Sequence, residues 1–268
     1  MLRFFMLPLL ASYCCAEMVY VPHRSASAVD QTPIHENACG PVSWINSYRF
    51  SSENWRAITC SLTGSDQQQF DYLTKKHAFQ FSKYAYLQRR WNENHGIQPR
   101  DLLDACNDFH KVTKLPQLNL VSLFLQPNES YQQLLIRTQT EMLSSLSNGF
   151  PPMLYLTRFE KRTSSSGGHR WTIQTSHYVT LYAVDDSPPE ETLTFKYIDP
   201  VGARICSGSV NVPDKEFYAI DVSNLTGKGY LKNPSLVAKC PETQIGSPHQ
   251  KSELVLALML VANDEPEL

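Results

Sequence analysis

The sequence predicts an α+β fold, with a helical N-terminal half packed on a C-terminal antiparallel β-sheet. Segments with helical spacing of apolar residues all lie before residue 150. After Asn148-Gly149 the apolar runs are rich in Tyr, Val, Thr and Leu and are separated by turn residues at hairpin distances. The chain has 268 residues, of which 42% are hydrophobic, so it can bury a core of ordinary size. We therefore expect one domain after the leader, over 17–268.

The first sixteen residues resemble a signal peptide. Arg3 precedes an apolar run that ends in small residues, with Cys14 and Ala16 at the positions before a cut at Glu17. The run is interrupted by Pro8 and is too short to span a membrane, which takes about 20 residues. We expect 1–16 to be removed, leaving an exported, periplasmic or secreted protein with no integral membrane segment.

Composition and motifs exclude several other classes of function. The formal charge is -2, so the chain lacks the basic surplus that nucleic-acid binding requires. The sequence contains no Cys-x-x-Cys and no His-Glu-x-x-His, and its eight histidines are scattered. No glycine-rich loop leads from a strand into a helix in the manner of a phosphate-binding site. We therefore expect no metal, no cofactor and no nucleic acid, and we expect a monomer.

The elements of the first half follow from apolar spacing. A short strand is predicted at 18–22, and a helix at 42–50, opened by Gly40-Pro41, which puts Cys39 at the helix start. Further helices are predicted in parts of 67–90, at 100–109 with Pro99 near the first turn, and at 128–147, and a strand is predicted at 121–125.

The second half of the chain is predicted to form strands. The predicted strands are 153–159, 170–174, 177–184, 193–198 and a last apolar run at 254–262. The residues Asp185-Asp186-Ser187-Pro188-Pro189 form a clear turn between the third and fourth of these. We therefore expect 177–184 and 193–198 to pair as a hairpin.

The cysteine count singles out a candidate nucleophile. Five cysteines remain after the signal, and an odd count in an oxidising compartment predicts two disulfides and one free thiol. If Cys39 stays free, the other four allow three connectivities, of which one joins chain neighbours, Cys60 with Cys106 and Cys206 with Cys240. The alternative is five reduced, partly buried cysteines: Cys39, Cys60, Cys106, Cys206 and Cys240.

Three residues could together form a thiol version of the Ser-His-Asp triad. Cys39 at a helix N-terminus faces unpaired N–H groups and the positive end of the dipole, which lower the pKa of a thiol. His177 opens one strand of the predicted hairpin and Asp199 closes the other, so antiparallel pairing makes them neighbours. Asp199 could then orient the imidazole of His177 opposite the thiolate.

Each member has an ordinary structural alternative, which for Cys39 is that a lone cysteine before a glycine is usually structural. His177 could be a strand-end histidine bonded to backbone, and an aspartate before proline, as in Asp199-Pro200, commonly initiates a turn. His169, which follows two glycines, is a rival base. Its run is not followed directly by a strand ending in Asp-Pro, so we favour His177.

The order of these residues resembles a known family. The run QTPIHENACGP, then SHYVTLYAVDD and YIDPVG, is similar to papain-like cysteine peptidases of the bacteriocin-processing, double-glycine leader peptidase type. The resemblance implies a papain-like fold with Cys39 as nucleophile, His177 as base, Asp199 as orienter and Gln31 as oxyanion donor. Gln31 lies eight residues before Cys39, farther than is usual in that family, so a longer loop must return its amide to the site.

These expectations combine into an exported cysteine hydrolase that cleaves a peptide bond of a peptide or protein substrate through a thioester. One alternative is an acyl transferase or transpeptidase that uses the same thioester. Another is a papain-like binding module without turnover.

Overall fold

A computed structural model of the chain describes residues 17–59, 62, 64–163, 169–213, 218–220, 232–246 and 252–262. The helices are α1 Cys39–Arg49, α2 Glu53–Thr59, α3 Asp66–Leu73, a π-helical turn Thr74–Ala78, α4 Pro99–Thr113 and α5 Tyr131–Ser147. The strands are β1 Met18–Tyr20, β2 Trp91–Asn92, β3 Gly96–Ile97, β4 Leu118–Ser122, β5 Met153–Thr163, β6 His169–Asp185, β7 Thr192–Asp199, β8 Arg204–Asn211, β9 Tyr218–Ile220, β10 Lys232–Pro234, β11 Val237–Lys239 and β12 Ser252–Ala262.

An antiparallel sheet organises the molecule, in the strand order β11-β8-β7-β6-β5-β12-β4, with β1 paired to β6. Side chains alternate across it, because successive residues of a strand point to opposite faces. Along β5, Met153 and Tyr155 belong to the core shared with α1 and α4, whereas Leu154 and Leu156 belong to the core shared with α5. The sheet is therefore covered by helices on both faces, and the α+β class is confirmed at this level.

Two helices begin at the predicted signals, and a third begins at a cap that was not predicted. Cys39 is the first residue of α1, as predicted, and α4 begins with Pro99 at its first position. Ser130 caps α5 in a capping box with Gln133, which places the start of that helix at Tyr131.

Several predicted elements have different extents. The strand predicted at 121–125 is β4, Leu118–Ser122, and the helix predicted at 128–147 begins at Tyr131. The segment predicted as partly helical over 67–90 is helical only through Ala78, after which the buried Arg90 donates to the carbonyl of His77 and to Asp108 and holds the chain in a loop. The runs 170–174 and 177–184 are one long strand, β6, because the polar residues between them, Thr175 and Ser176, keep pairing with β5.

The division into a helical half and a sheet half is too simple. Strands β1 and β4 come from the first half and join the sheet through β6 and β12. Strands β8 to β11 and helix α2 were not predicted. The segment that forms β8, RICSGSVN, is rich in small polar residues and carries little periodic apolar signal. The predicted signal peptide, 1–16, lies outside the described residues. In the described part of the chain no helix is long and apolar enough to cross a membrane.

Candidate active site

Cys39 lies where the N-terminus of α1 meets the sheet. Its neighbour Gly40 is buried, and a Cβ atom there would overlap the side chain of Ile97 on β3 and touch the ring of Tyr178 on β6 at 3.4 Å. Glycine therefore lets the helix start approach β3 closely. The Cys39 side chain packs partly buried against the core between α1 and the sheet.

His177 and Asp199 are in contact, as the predicted hairpin required. The β6–β7 ladder pairs Thr180 with Ile198, so Asp199 continues the register toward Val179 and reaches His177 diagonally. The Nε2 atom of His177 lies 2.9 Å from Oδ1 of Asp199. The side chain of His177 is 12% exposed and that of Asp199 is fully buried.

The Asp199 carboxylate has hydrogen-bond donors on both oxygens. Oδ1 also accepts from the backbone N–H of Val201 at 2.9 Å, and Oδ2 accepts from the hydroxyl of Thr243 at 2.7 Å. Burial raises the pKa of Asp199, but its hydrogen bonds and the charge of His177 lower it by more. The net result is a pKa below the ordinary value. Asp199 is therefore ionised at neutral pH.

The other side of the imidazole faces the thiol. Because Nε2 is engaged by Asp199, Nδ1 is the ring nitrogen left to interact with Cys39. Burial lowers the pKa of His177, yet its bonds to Asp199 and Cys39 outweigh burial and raise the pKa to about 9. Burial raises the pKa of Cys39, but the His177 bond and charge, with the N–H groups of Tyr178 and Gly40, bring it below the ordinary value. The arrangement favours a thiolate–imidazolium pair.

Gln31 lies in a loop that is tied to the turn after Asp199. Its backbone N–H donates to the carbonyl of Pro200 at 2.8 Å, and Asp30 accepts from the N–H of Gly202 at 2.9 Å. The side chain of Gln31 is buried. Its Nε2 donates to the carbonyl of Glu36 at 2.7 Å, and its Oε1 has no hydrogen-bond partner among the described residues. One N–H of the amide is therefore committed to Glu36 and the other is left.

A short hairpin, β2–β3, borders the site and was not predicted. Asn37 donates to the carbonyl of Glu93 at 2.7 Å, and Trp91 donates to the carbonyl of Asn37 at 3.3 Å. The hydroxyl of Tyr178 donates to the carbonyl of Ile97 at 3.2 Å. These bonds join the residues before Cys39 and the residue after His177 to one hairpin, which fixes the two sides of the candidate pair relative to each other.

The rival base lies far along the same strand. His169 is eight residues before His177 in β6, which corresponds to about 26 Å of extended chain. Its backbone pairs with Thr163 at the opposite end of the β5–β6 ladder. The structure therefore brings His177, and not His169, to Asp199.

The remaining cysteines differ from Cys39 in their surroundings. Cys106, Cys206 and Cys240 are free thiols and are buried. Burial raises the pKa of each of them, that of Cys240 to about 12. Cys60 lies outside the described residues, so a pairing with Cys60 stays a prediction. The predicted Cys206–Cys240 disulfide is not formed in this structure.

The described ranges contain no group of three or more His, Cys, Asp or Glu side chains arranged to hold a metal ion. Comparisons with protein-family models, with curated proteins and with solved structures found no match to this chain.

Proposed function

We propose that this protein is an exported cysteine hydrolase with a papain-like site that cleaves a peptide bond. The observation that carries the proposal is the hydrogen bond between His177 Nε2 and Asp199 Oδ1 at 2.9 Å, together with a Cys39 thiol whose pKa the same imidazole lowers. A nucleophile, a base and an orienting carboxylate in this order are the arrangement that thiol-based acyl transfer needs. In the proposed site, His177 and Asp199 orient and ionise the thiol of Cys39, although the three residues lie far apart in the sequence.

The chemistry follows from the charges of the pair. The thiolate of Cys39 attacks the substrate carbonyl carbon, and the carbonyl oxygen becomes an oxyanion. The backbone N–H of Cys39, which as the first helical residue has no intrahelical acceptor, and the free N–H of Gln31 Nε2 are the candidate donors to that oxyanion. His177 protonates the leaving amine as the C–N bond breaks, which leaves a thioester. Water, deprotonated by His177, then hydrolyses the thioester and frees the thiolate.

Three features support Cys39 as the nucleophile over the other described cysteines. Cys39 is partly exposed, its pKa is lowered, and it contacts an imidazole. Cys106, Cys206 and Cys240 are buried with raised pKa values, so they are poor thiolates at neutral pH.

The test uses a peptidyl vinyl sulfone. A thiolate adds to its double bond, and the carbanion that results must then be protonated. The exported protein is incubated with the probe in wild type, Cys39→Ala, His177→Ala and the control Cys106→Ala, and the labelled peptide is identified by mass spectrometry. We expect one labelled site, Cys39, no labelling in Cys39→Ala, at least tenfold slower labelling in His177→Ala, and wild-type labelling in Cys106→Ala. Labelling of another cysteine with Cys39 unreacted would overturn the proposal.

The acceptor of the acyl group is measured separately. A peptide 4-nitrophenyl ester loads the thiol, and the product is analysed in water with and without a peptide amine. Release of free acid with the amine present supports hydrolysis. Exclusive formation of the amide would replace hydrolysis with acyl transfer on the same site.

A further inference from the structure

The orienting carboxylate is itself held by a buried hydroxyl from a distant part of the chain. Thr243 lies between β11 and β12, and its side chain donates to Asp199 Oδ2 at 2.7 Å. Both residues are buried, Thr243 with 7% of its surface exposed. The contact joins residues 44 positions apart.

The direction of this hydrogen bond is determined by chemistry. An ionised carboxylate only accepts, so the single hydroxyl proton of Thr243 points at Asp199. The hydroxyl oxygen of Thr243 also lies 2.8 Å from the hydroxyl of Tyr197, which is fully buried, and Tyr197 must therefore be the donor in that pair. Burial raises the pKa of Tyr197, which keeps its proton in place. The result is an ordered chain from Tyr197 to Thr243 to Asp199.

The backbone that carries Thr243 is anchored to the strand beside β7. Glu242 accepts from the backbone N–H of Ser207 at 2.7 Å, and Arg204 donates to the carbonyl of Glu242 at 3.1 Å. The N–H of Thr243 donates to the carbonyl of Cys240 at 3.2 Å. Thr243 is thus presented by a braced turn, so that its hydroxyl has a defined position under the carboxylate.

We propose that Thr243 is a positioning residue for this site: its hydroxyl on Oδ2, together with the N–H of Val201 on Oδ1, fixes the rotation of the Asp199 carboxylate, so that Oδ1 stays on His177 Nε2. The role rests on the proposed function of the triad and deepens it. Without the Thr243 donor, Oδ2 is a buried anionic oxygen whose nearest other cation, Nη2 of the half-exposed Arg204, lies 3.8 Å away. The carboxylate then turns toward Arg204, and the bond to His177 weakens.

A weaker Asp199–His177 bond affects Cys39 because the Cys39–His177 pair exists in two protonation forms. Thiolate with imidazolium and thiol with neutral imidazole have the same number of protons. Asp199 stabilises the imidazolium and so favours the thiolate form. A turned carboxylate therefore lowers the thiolate fraction at neutral pH without touching Cys39.

The experiment measures alkylation of Cys39 by iodoacetamide as a function of pH. The reacted cysteine is identified by mass spectrometry of the exported protein, residues 17–268. Iodoacetamide reports the thiolate and needs neither a substrate site nor a proton donor. The variants are Thr243→Val, which keeps the shape and removes the hydroxyl, Thr243→Ser, which keeps the hydroxyl, and Tyr197→Phe. Thr138→Val is the matched control, because Thr138 is fully buried and its hydroxyl donates to the carbonyl of Leu134 at 2.8 Å within α5.

We expect Thr243→Val to raise the alkylation midpoint by about 0.5–1 pH unit and to slow alkylation at pH values below the wild-type midpoint by about threefold to tenfold. Thr243→Ser should restore the wild-type profile, Tyr197→Phe should shift it by less in the same direction, and Thr138→Val should leave it unchanged. A wild-type or downward-shifted profile in folded Thr243→Val, or a serine variant that fails to restore the profile, would overturn the proposal. If Thr243→Val does not fold, an unchanged Tyr197→Phe profile overturns it.

Failure of the proposed function is distinguishable from failure of this role. A protein whose Cys39 has the Thr243-dependent alkylation profile but reacts with no peptidyl probe would contradict peptide hydrolysis and support the positioning role. A protein that reacts with the probe through Cys39 and His177 but ignores Thr243→Val would do the opposite.

Discussion

His177 Nε2 and Asp199 Oδ1 form a hydrogen bond of 2.9 Å between diagonal positions of the β6–β7 ladder. A register shift between Leu181 and Ala183 lies in this ladder, between the contact and the turn that joins the two strands. Bulges of this kind increase local twist and redirect side chains. The contact therefore depends on strand register as much as on the identity of the two residues.

Removal of the Asp199 carboxylate should reduce the reactivity of Cys39. In Asp199→Ala the imidazolium loses its charged partner, and we expect labelling by the peptidyl vinyl sulfone to slow by about tenfold to hundredfold. Asp199→Asn should fall between wild type and alanine, because the amide oxygen still accepts from Nε2 but carries no charge. Asp185→Ala, which removes a carboxylate at the other end of the β6–β7 hairpin, serves as the control. Equal rates in Asp199→Ala and wild type would contradict an orienting role.

Gln31→Ala should impair acyl transfer while it spares the thiolate. Loss of one oxyanion donor costs about 10²-fold or more in rate, so we expect slower acylation by a peptide 4-nitrophenyl ester at pH 6.5 by about that factor. Alkylation of Cys39 by iodoacetamide forms no oxyanion and should stay within about twofold of wild type. Gln139→Ala is the control, since Gln139 is also buried and its amide donates to the carbonyls of Asp185 and Ser187. If both reactions slow together, Gln31 supports the fold and not the oxyanion.

The rate of labelling by the vinyl sulfone should have a bell-shaped pH profile. The addition needs the thiolate and a proton from His177. The lowered pKa of Cys39 means that the thiolate is lost only as pH falls through that lowered value. The raised pKa of His177 means that the imidazolium persists through neutral pH and is lost as pH rises through about 9.

The contrast with iodoacetamide checks this assignment. Alkylation by iodoacetamide needs no proton, so its rate should stay on its plateau above pH 9, where the vinyl sulfone rate falls. A vinyl sulfone profile that keeps rising from pH 8 to pH 10 would show that His177 does not supply the proton.

A histidine outside the site should make the fold sensitive to acid. His110 donates through Nδ1 to the carbonyl of Pro116, so Nε2 accepts from the hydroxyl of Tyr48, and the ring is neutral. Burial lowers the pKa of His110 from 6.5 to about 4. Between these two pH values the unfolded chain binds a proton that the folded chain does not, so the free energy of unfolding should decrease as pH falls from 6.5 toward 4.

The measurement is urea unfolding at pH 7 and pH 5 in wild type and in His110→Asn, whose amide can still donate to Pro116. We expect the asparagine variant to be less stable at pH 7, because its side chain is smaller, and to lose less stability between the two pH values. An equal loss in both proteins would place the acid sensitivity elsewhere.

Local patterns predicted much of the fold because they are carried by neighbouring residues. The helix that starts at Cys39 follows from Gly40-Pro41 and the spacing after it, and α5 follows from its apolar positions and the stop at Asn148-Gly149. The hairpin that joins His177 to Asp199 follows from two apolar runs and the proline turn between them. In contrast, strand β8 and the hairpin β2–β3 were not predicted. Their apolar residues have weak periodicity, and they pair through contacts that no local pattern specifies.

The amino-acid sequence by itself determined which residue types stand at helix starts and strand ends, and hence which thiol, imidazole and carboxylate could act together. Only the tertiary structure decided that β6 runs unbroken past His169 to His177, that the Gln31 loop is bonded to the turn after Asp199, and that Thr243 lies beneath the carboxylate. The physical reason is that capping, periodicity and turn chemistry act over a few residues, whereas strand register and buried hydroxyl contacts depend on how distant segments pack.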